Sequence, residues 1–95
     1  MTREKTIENA IKKHLDKVGA YYIKYHGGAY SKVGVPDLLV CYKGRFLGLE
    51  VKNETYQPSP LQLHHLKMIK KAGGIAYVVR SVAQLKLILE EVDND

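Results

Sequence analysis

Residues 35–52 read VPDLLVCYKGRFLGLEVK, and this stretch decides the fold. Asp37 follows a proline; Glu50 stands thirteen positions later, with Lys52 two further on. Between them lie two apolar runs, Leu38–Tyr42 and Phe46–Leu49, split by Lys43-Gly44-Arg45. Runs of that length around a short glycine-containing link predict two antiparallel strands joined by a tight turn. Residues i and i+2 of a strand share a face. Glu50 and Lys52 therefore project together, Leu49 and Val51 point the other way, and Asp37 can join the first pair from the mouth of the partner strand. Two carboxylates and one ammonium converging at a sheet edge suit a hard divalent cation and an activated water.

Working outward, residues 3–18 predict a helix, because Ile7, Ala10, Ile11, Leu15 and Val18 recur at helical spacing. Thr2 is the expected N-cap and Gly19 the stop. Glu8 lies at the edge of the apolar stripe, where its carboxylate can lean towards whatever the helix packs on. Glu4 competes for that role, and the edge position favours Glu8. Residues 20–25 predict a strand with Tyr21, Ile23 and Tyr25 on one face and Tyr22 and Lys24 on the other. The four tyrosines of residues 21–30 are either core or base-stacking groups, and Tyr21 and Tyr25 are assigned to the core. Residues 26–34, with three glycines, form a loop; Gly27-Gly28 is a weak phosphate-loop signal.

Residues 53–60, with two prolines, are expected to be a mobile surface loop. A second helix follows over residues 60–72, with Ser59 as cap and Pro60 in its first turn. Leu61, His65, Met68, Ile69 and Ala72 share one face; Leu63 and Leu66, roughly opposite, are covered either by the sheet or by a second subunit. Residues 75–80 predict a strand, and Ser81 caps a last helix over 82–92. The order α-β-β-β-α-β-α makes this an α/β chain: a small mixed β-sheet flanked by helices on both sides.

Ninety-five residues, 45% of them hydrophobic, fit one domain spanning residues 1–95. No apolar run is long enough to span a membrane, and the charged N-terminus lacks a signal-peptide core. The single cysteine, Cys41, lies in an apolar strand and is expected to be buried. An intracellular protein is expected, cytoplasmic or, for a viral chain, in the host cytoplasm. The formal net charge of +5 suits a polyanionic partner. Lys24, Lys32, Lys43 and Arg45 are the expected DNA contacts, if the fold brings them with Lys52 to one rim. His26, His64, His65 and Cys41 make no recognisable zinc pattern. On residues alone, Gln62 is as readily a helix-surface amide as a site residue.

Taken in order, these pieces resemble a known superfamily. Pro36-Asp37 with Glu50-Val51-Lys52 is similar to the PD-(D/E)xK nuclease motif, and the closer likeness is to its VRR-NUC branch. The likeness runs through Ile7-Glu8, Gly34-Val35-Pro36-Asp37, Leu49-Glu50-Val51-Lys52, Pro58-Ser59-Pro60-Leu61-Gln62, Ala72-Gly73-Gly74 and Val78-Val79-Arg80. One departure is the absence of a second arginine after Arg80. The resemblance implies a restriction-endonuclease-like core and Mg²⁺- or Mn²⁺-dependent phosphodiester cleavage, with no small-molecule cofactor. It implies Asp37, Glu50 and the Val51 carbonyl as metal ligands, with Glu8 binding metal directly or through water. It also implies Lys52 as the group that orients or activates water, and Gln62 as support. Stand-alone members suggest a homodimer acting on branched DNA such as a Holliday junction. The competing readings are a nucleic-acid-binding module of the same fold without chemistry and, lower, a sequence-specific restriction enzyme, for which the chain leaves little room.

Overall fold

The central hairpin turns on two residues, Lys43 (φ 49°) and Gly44 (φ 78°). Positive φ at both positions is the signature of the tight turns whose twist matches that of the flanking strands. In this computed structural model, which describes residues 2–27 and 32–95, the turn joins β2 (Leu38–Tyr42) to β3 (Arg45–Val51). Tyr42 pairs with Arg45, Val40 with Leu47 and Leu38 with Leu49. Before the hairpin come α1 (Glu4–Lys17) and β1 (Tyr21–Lys24); after it come α2 (Pro60–Lys71), β4 (Ile75–Val79) and α3 (Val82–Asp93). The sheet order is β1-β2-β3-β4, antiparallel except for the parallel β3–β4 pair. Element order and sheet type are those expected. No described helix is long and apolar enough to cross a membrane.

One sheet face is closed by two helices. Ile7, Ile11 and Leu15 of α1 and Leu85, Ile88, Leu89 and Val92 of α3 pack on Leu38, Val40, Leu47, Leu49, Val51 and Val79. The other face carries α2, whose main strand contacts are with β3 and β4. Leu66 of α2 is buried, so the chain itself covers it, while Leu63 is exposed.

Several expectations fail because α2 leaves the outer half of that face open. Tyr21 is 69% exposed and Ile23 52%, since α1 packs on the Tyr22/Lys24 side of β1. Tyr21 is therefore not core, and Tyr25 is only half-buried, its hydroxyl donating to the Lys32 carbonyl at 3.3 Å. Cys41, cross-strand neighbour of Tyr21, is likewise exposed. Arg3, not Thr2, takes the N-cap position of α1, without a side-chain cap bond. Residues 53–59 are tied down rather than loose. Asn53 Oδ1 accepts from the backbone of Thr55 and Tyr56, and Arg80 donates to the Asn53 and Tyr56 carbonyls and to Gln57. Gly28 and Tyr30, named above for phosphate and base contacts, lie outside the described residues.

Gly34 (φ +84°) brings the approach to Asp37 against the first turn of α2; a Cβ there would stand 2.9 Å from the Leu61 backbone. An L side chain in that region costs about 1–3 kcal/mol before any clash is counted. Gly34→Ala should therefore lower the stability measured by urea unfolding by at least about 1–3 kcal/mol. A midpoint equal to wild type would show that the contact is not tight.

Candidate active site

The hairpin register explains the thirteen-residue spacing. Leu38 is paired with Leu49, so one step beyond the strand end Asp37 lies opposite Glu50. Directly opposed residues of an antiparallel pair share a face. Asp37 is anchored to the neighbouring strand: its Oδ2 accepts from the Val51 N–H at 2.8 Å. Glu50 is 1% exposed. Its Oε2 accepts from Gln62 Nε2 at 3.1 Å, and its buried Oε1 has no hydrogen-bond partner among the described residues.

Gln62 is oriented from both ends of its amide. It occupies the third position of α2, where Ser59 Oγ accepts from its backbone N–H at 3.2 Å and its own Oε1 accepts from the Ser59 N–H at 2.8 Å. This reciprocal capping box satisfies two helix-end donors and leaves Nε2 pointing outward. The amide nitrogen goes to Glu50. The helix cap is thus also the clamp on the carboxylate, and Gln62 is more than a surface amide.

Glu8 reaches the site from α1. It is 6% exposed, and its Oε1 accepts from Lys24 Nζ at 2.7 Å. The same ammonium stands 3.2 Å from Asp37 Oδ1. Lys12 and Lys5 lie 3.0 and 3.7 Å from Glu8 Oε2. The Lys12 contact has the distance of an ion pair but not the angles of a hydrogen bond, so we read it as charge neutralisation. Burial raises the Glu8 pKa, but the Lys24 hydrogen bond and the charges of Lys24 and Lys12 outweigh it and hold the pKa below the ordinary value. Glu8, and not the half-buried Glu4, is the helix acid tied to the site.

The expected basic rim does not form as one surface. Lys24 is embedded among the acids. Lys43 pairs with Asp93 at 2.6 Å and Arg45 with Asp95, both at the hairpin-turn end. That end is six residues of β3, about 20 Å, from Val51. Lys32 does stay close, sharing with Asp37, Tyr25, Gly27, Val33, Gly34 and Val35 a hollow of about 270 Å³. Lys52 projects on the Glu50 side and makes no ion pair among the described residues; its charge pulls the Glu50 pKa down.

Do these groups fit a divalent ion? The buried, unpartnered Glu50 Oε1 is acceptor-only when ionised, and a hard cation is a suitable partner for it. Among the described residues no three acid, histidine or cysteine groups converge as a metal cluster. Two carboxylates are therefore the side-chain ligands that the described residues offer. Mg²⁺ is commonly held by one or two carboxylates while keeping several waters. The fit is good.

Sequence reasoning placed Lys24 among the phosphate contacts. The alternation that sets Tyr22 and Lys24 on one face of β1, facing the helix that bears Glu8, was the signal for its actual position. Arg80 and Asn53, which secure the segment between Lys52 and α2, carried no comparable signal.

An α/β sheet with an acid pair, a lysine and a helix-capping amide at the strand ends is a nuclease-type domain. The comparisons bear this out. A solved chain described as a VRR_NUC domain is similar to this one, with 30% identity and a TM-score of 0.77 over 95% of this chain and 97% of that one. The chain belongs to the VRR-NUC domain family. No protein-family model matches it, and no curated protein does.

Burial, then the neighbouring Asp37 carboxyl, push the Glu50 pKa from 4.5 up to about 8, against the pull of Lys52 and Lys24. In the metal-free protein the unfolded state loses this proton near 4.5 while the folded state keeps it to about 8, so the group's contribution to stability falls as pH rises through that window. His14 works oppositely: burial, with Lys86 and Lys17, pushes its pKa down, so its contribution rises with pH. The two separate in a variant comparison. Glu50→Gln should gain stability relative to wild type between pH 5 and pH 8 in EDTA, read from urea midpoints. A constant difference across that range would contradict the assignment.

Proposed function

We propose that this chain is a Mg²⁺- or Mn²⁺-dependent DNA endonuclease that hydrolyses phosphodiester bonds, selective for branched DNA of the four-way-junction kind, and acting as a homodimer. The observation that carries the chemistry is the Asp37/Glu50 pair, with Glu50 clamped by Gln62 and one of its oxygens buried without a partner. Asp37, Glu50 and the Val51 carbonyl would hold the ion, and Glu8 acts on the site through Lys24. When bound, such an ion lowers the pKa of a water and offsets negative charge on a phosphate. Lys52, on the same face as Glu50, orients the attacking water and stabilises charge developing on the scissile phosphate. Gln62 keeps Glu50 from turning away. Lys32, which lines the same hollow as Asp37, would contact a neighbouring phosphate.

Branched-DNA selectivity rests on kinship with the family. Dimerisation has a structural support as well: the outer half of the α2 face is apolar and uncovered by any described helix. Tyr21, Cys41 and Phe46 form one cross-strand row there, and Ile23 and Leu39 begin the next. Met68 of α2 lines the adjoining hollow with Phe46 and His65. Aromatic residues and methionine are enriched in subunit contacts. This surface replaces the Leu63/Leu66 face, since Leu66 is buried within its own chain.

The test uses labelled four-way-junction, flap, single-stranded and linear duplex DNA with Mg²⁺, Mn²⁺ or EDTA. Wild type should cut the junction in either metal and not in EDTA. Asp37→Ala, Glu50→Ala and Lys52→Ala should each lose about 10²-fold or more, the scale on which single transition-state charge stabilisers act. Salt-sensitive binding without cutting would instead mark a binding module. Light scattering at tens of micromolar should give a dimer mass for wild type and a monomer mass for Phe46→Glu. A monomeric wild type would end the dimer reading.

A further inference from the structure

We infer that Lys24 fills a cation position of the site. It holds, between Glu8 and Asp37, the charge that a second divalent ion would otherwise supply, so each chain takes one ion, at Asp37 and Glu50. This rests on the metal-dependent reading above. The ammonium touches two carboxylates carried by separate elements, Glu8 Oε1 from α1 at 2.7 Å and Asp37 Oδ1 from the start of β2 at 3.2 Å. Its side chain is 23% exposed and that of Glu8 7%, so neither charge is left to water. The remaining Glu8 oxygen faces Lys12 and, further off, Lys5. Asp37 Oδ2 is engaged by the Val51 N–H. The Glu8 side of the site is thus neutralised by protein cations, its Oε2 by the charge of Lys12 and not by a hydrogen bond.

The Glu50 side is the reverse. Its Oε1 is buried with no hydrogen-bond partner among the described residues. Cation demand is therefore met at one end of the acid row and unmet at the other. Removing the Lys24 charge would leave two facing carboxylates, one of them buried, and unpaired buried charge is costly. A hard divalent ion is then the best available substitute. On this account Glu8 is a positioning residue that acts through Lys24, not a ligand.

The experiment counts Mn²⁺ ions bound to the metal-free full chain, by titration calorimetry and by electron paramagnetic resonance of free Mn²⁺. Wild type should bind one ion per chain, and Lys24→Arg, which keeps the cation, also one. Lys24→Met should bind two, and Lys24→Met with Glu8→Gln should return to one. Two ions on wild type would overturn the inference without any variant, so it remains falsifiable even if Lys24→Met folds poorly. One ion on a folded Lys24→Met would overturn it as well. Asp37→Ala separates the layers: it should abolish wild-type binding, and intact binding there would overturn the site reading itself.

Discussion

The register of one hairpin governs the rest of this molecule. Lys43 and Gly44 take the two positive-φ positions of the turn, and the ladder they start pairs Leu38 with Leu49. The next pair would be Asp37 with Glu50, so two carboxylates meet where the ladder ends. A slip of one residue would turn Glu50 and Lys52 into the α1/α3 core and Leu49 and Val51 out of it. The buried state of Leu47, Leu49 and Val51 makes that slip costly, so hydrophobic burial enforces the geometry of the acids.

Placing a carboxylate such as Glu50 in the interior opposes folding, and the surroundings offset this unevenly. Asp37 and Glu8 are each met by donors or cations: a backbone N–H and an ammonium for the first, the Lys24 hydrogen bond and the Lys12 charge for the second. Glu50 receives one neutral amide, from Gln62, and faces a second acid. A stability-optimised interior would have supplied it with a cation. The imbalance is local and sits where the chemistry is proposed, as expected when a site keeps an interaction open for something that binds.

Much of the fold was legible because both periodicities were strong. The α1 stripe and the Leu38–Val51 alternation required no tertiary knowledge, and Asp37, Glu50 and Lys52 followed from spacing alone. Gln62 was undecided on its residues and entered only through the family resemblance, since a capping amide and a site amide look alike until the helix start is placed beside β3. Tyr21 and Cys41 were misread for a related reason. Apolar character marks a strand but not which of its faces a helix will cover, and among the strands α2 packs mainly on β3 and β4. Lys43 and Arg45 were misplaced because nearness in sequence to Glu50 means little along an extended strand, where six residues span about 20 Å.

That half-covered face links the two parts of the functional proposal. Along β3, Phe46, Gly48, Glu50 and Lys52 alternate onto the side that carries α2. The face therefore begins apolar at Phe46 and ends acidic at Glu50, four residues or about 13 Å further on. Between them Gly48 lies flat against Ile69 of α2 and Pro36, where a Cβ would stand 2.5 Å from the Ile69 side chain. Close packing at Gly48 brings α2 down onto the sheet, which sets the height of Gln62 over Glu50. It also separates the open apolar rows from the acids. A second subunit seated on the Tyr21–Cys41–Phe46 row would lie at the far end of this face from Lys52, leaving the acid pair open to a nucleic-acid strand. Two such sites, related by a two-fold axis through the apolar rows, would face two strands with equivalent geometry. On the proposed reading, partial coverage by α2 lets one sheet face serve as both a subunit surface and a reactive edge.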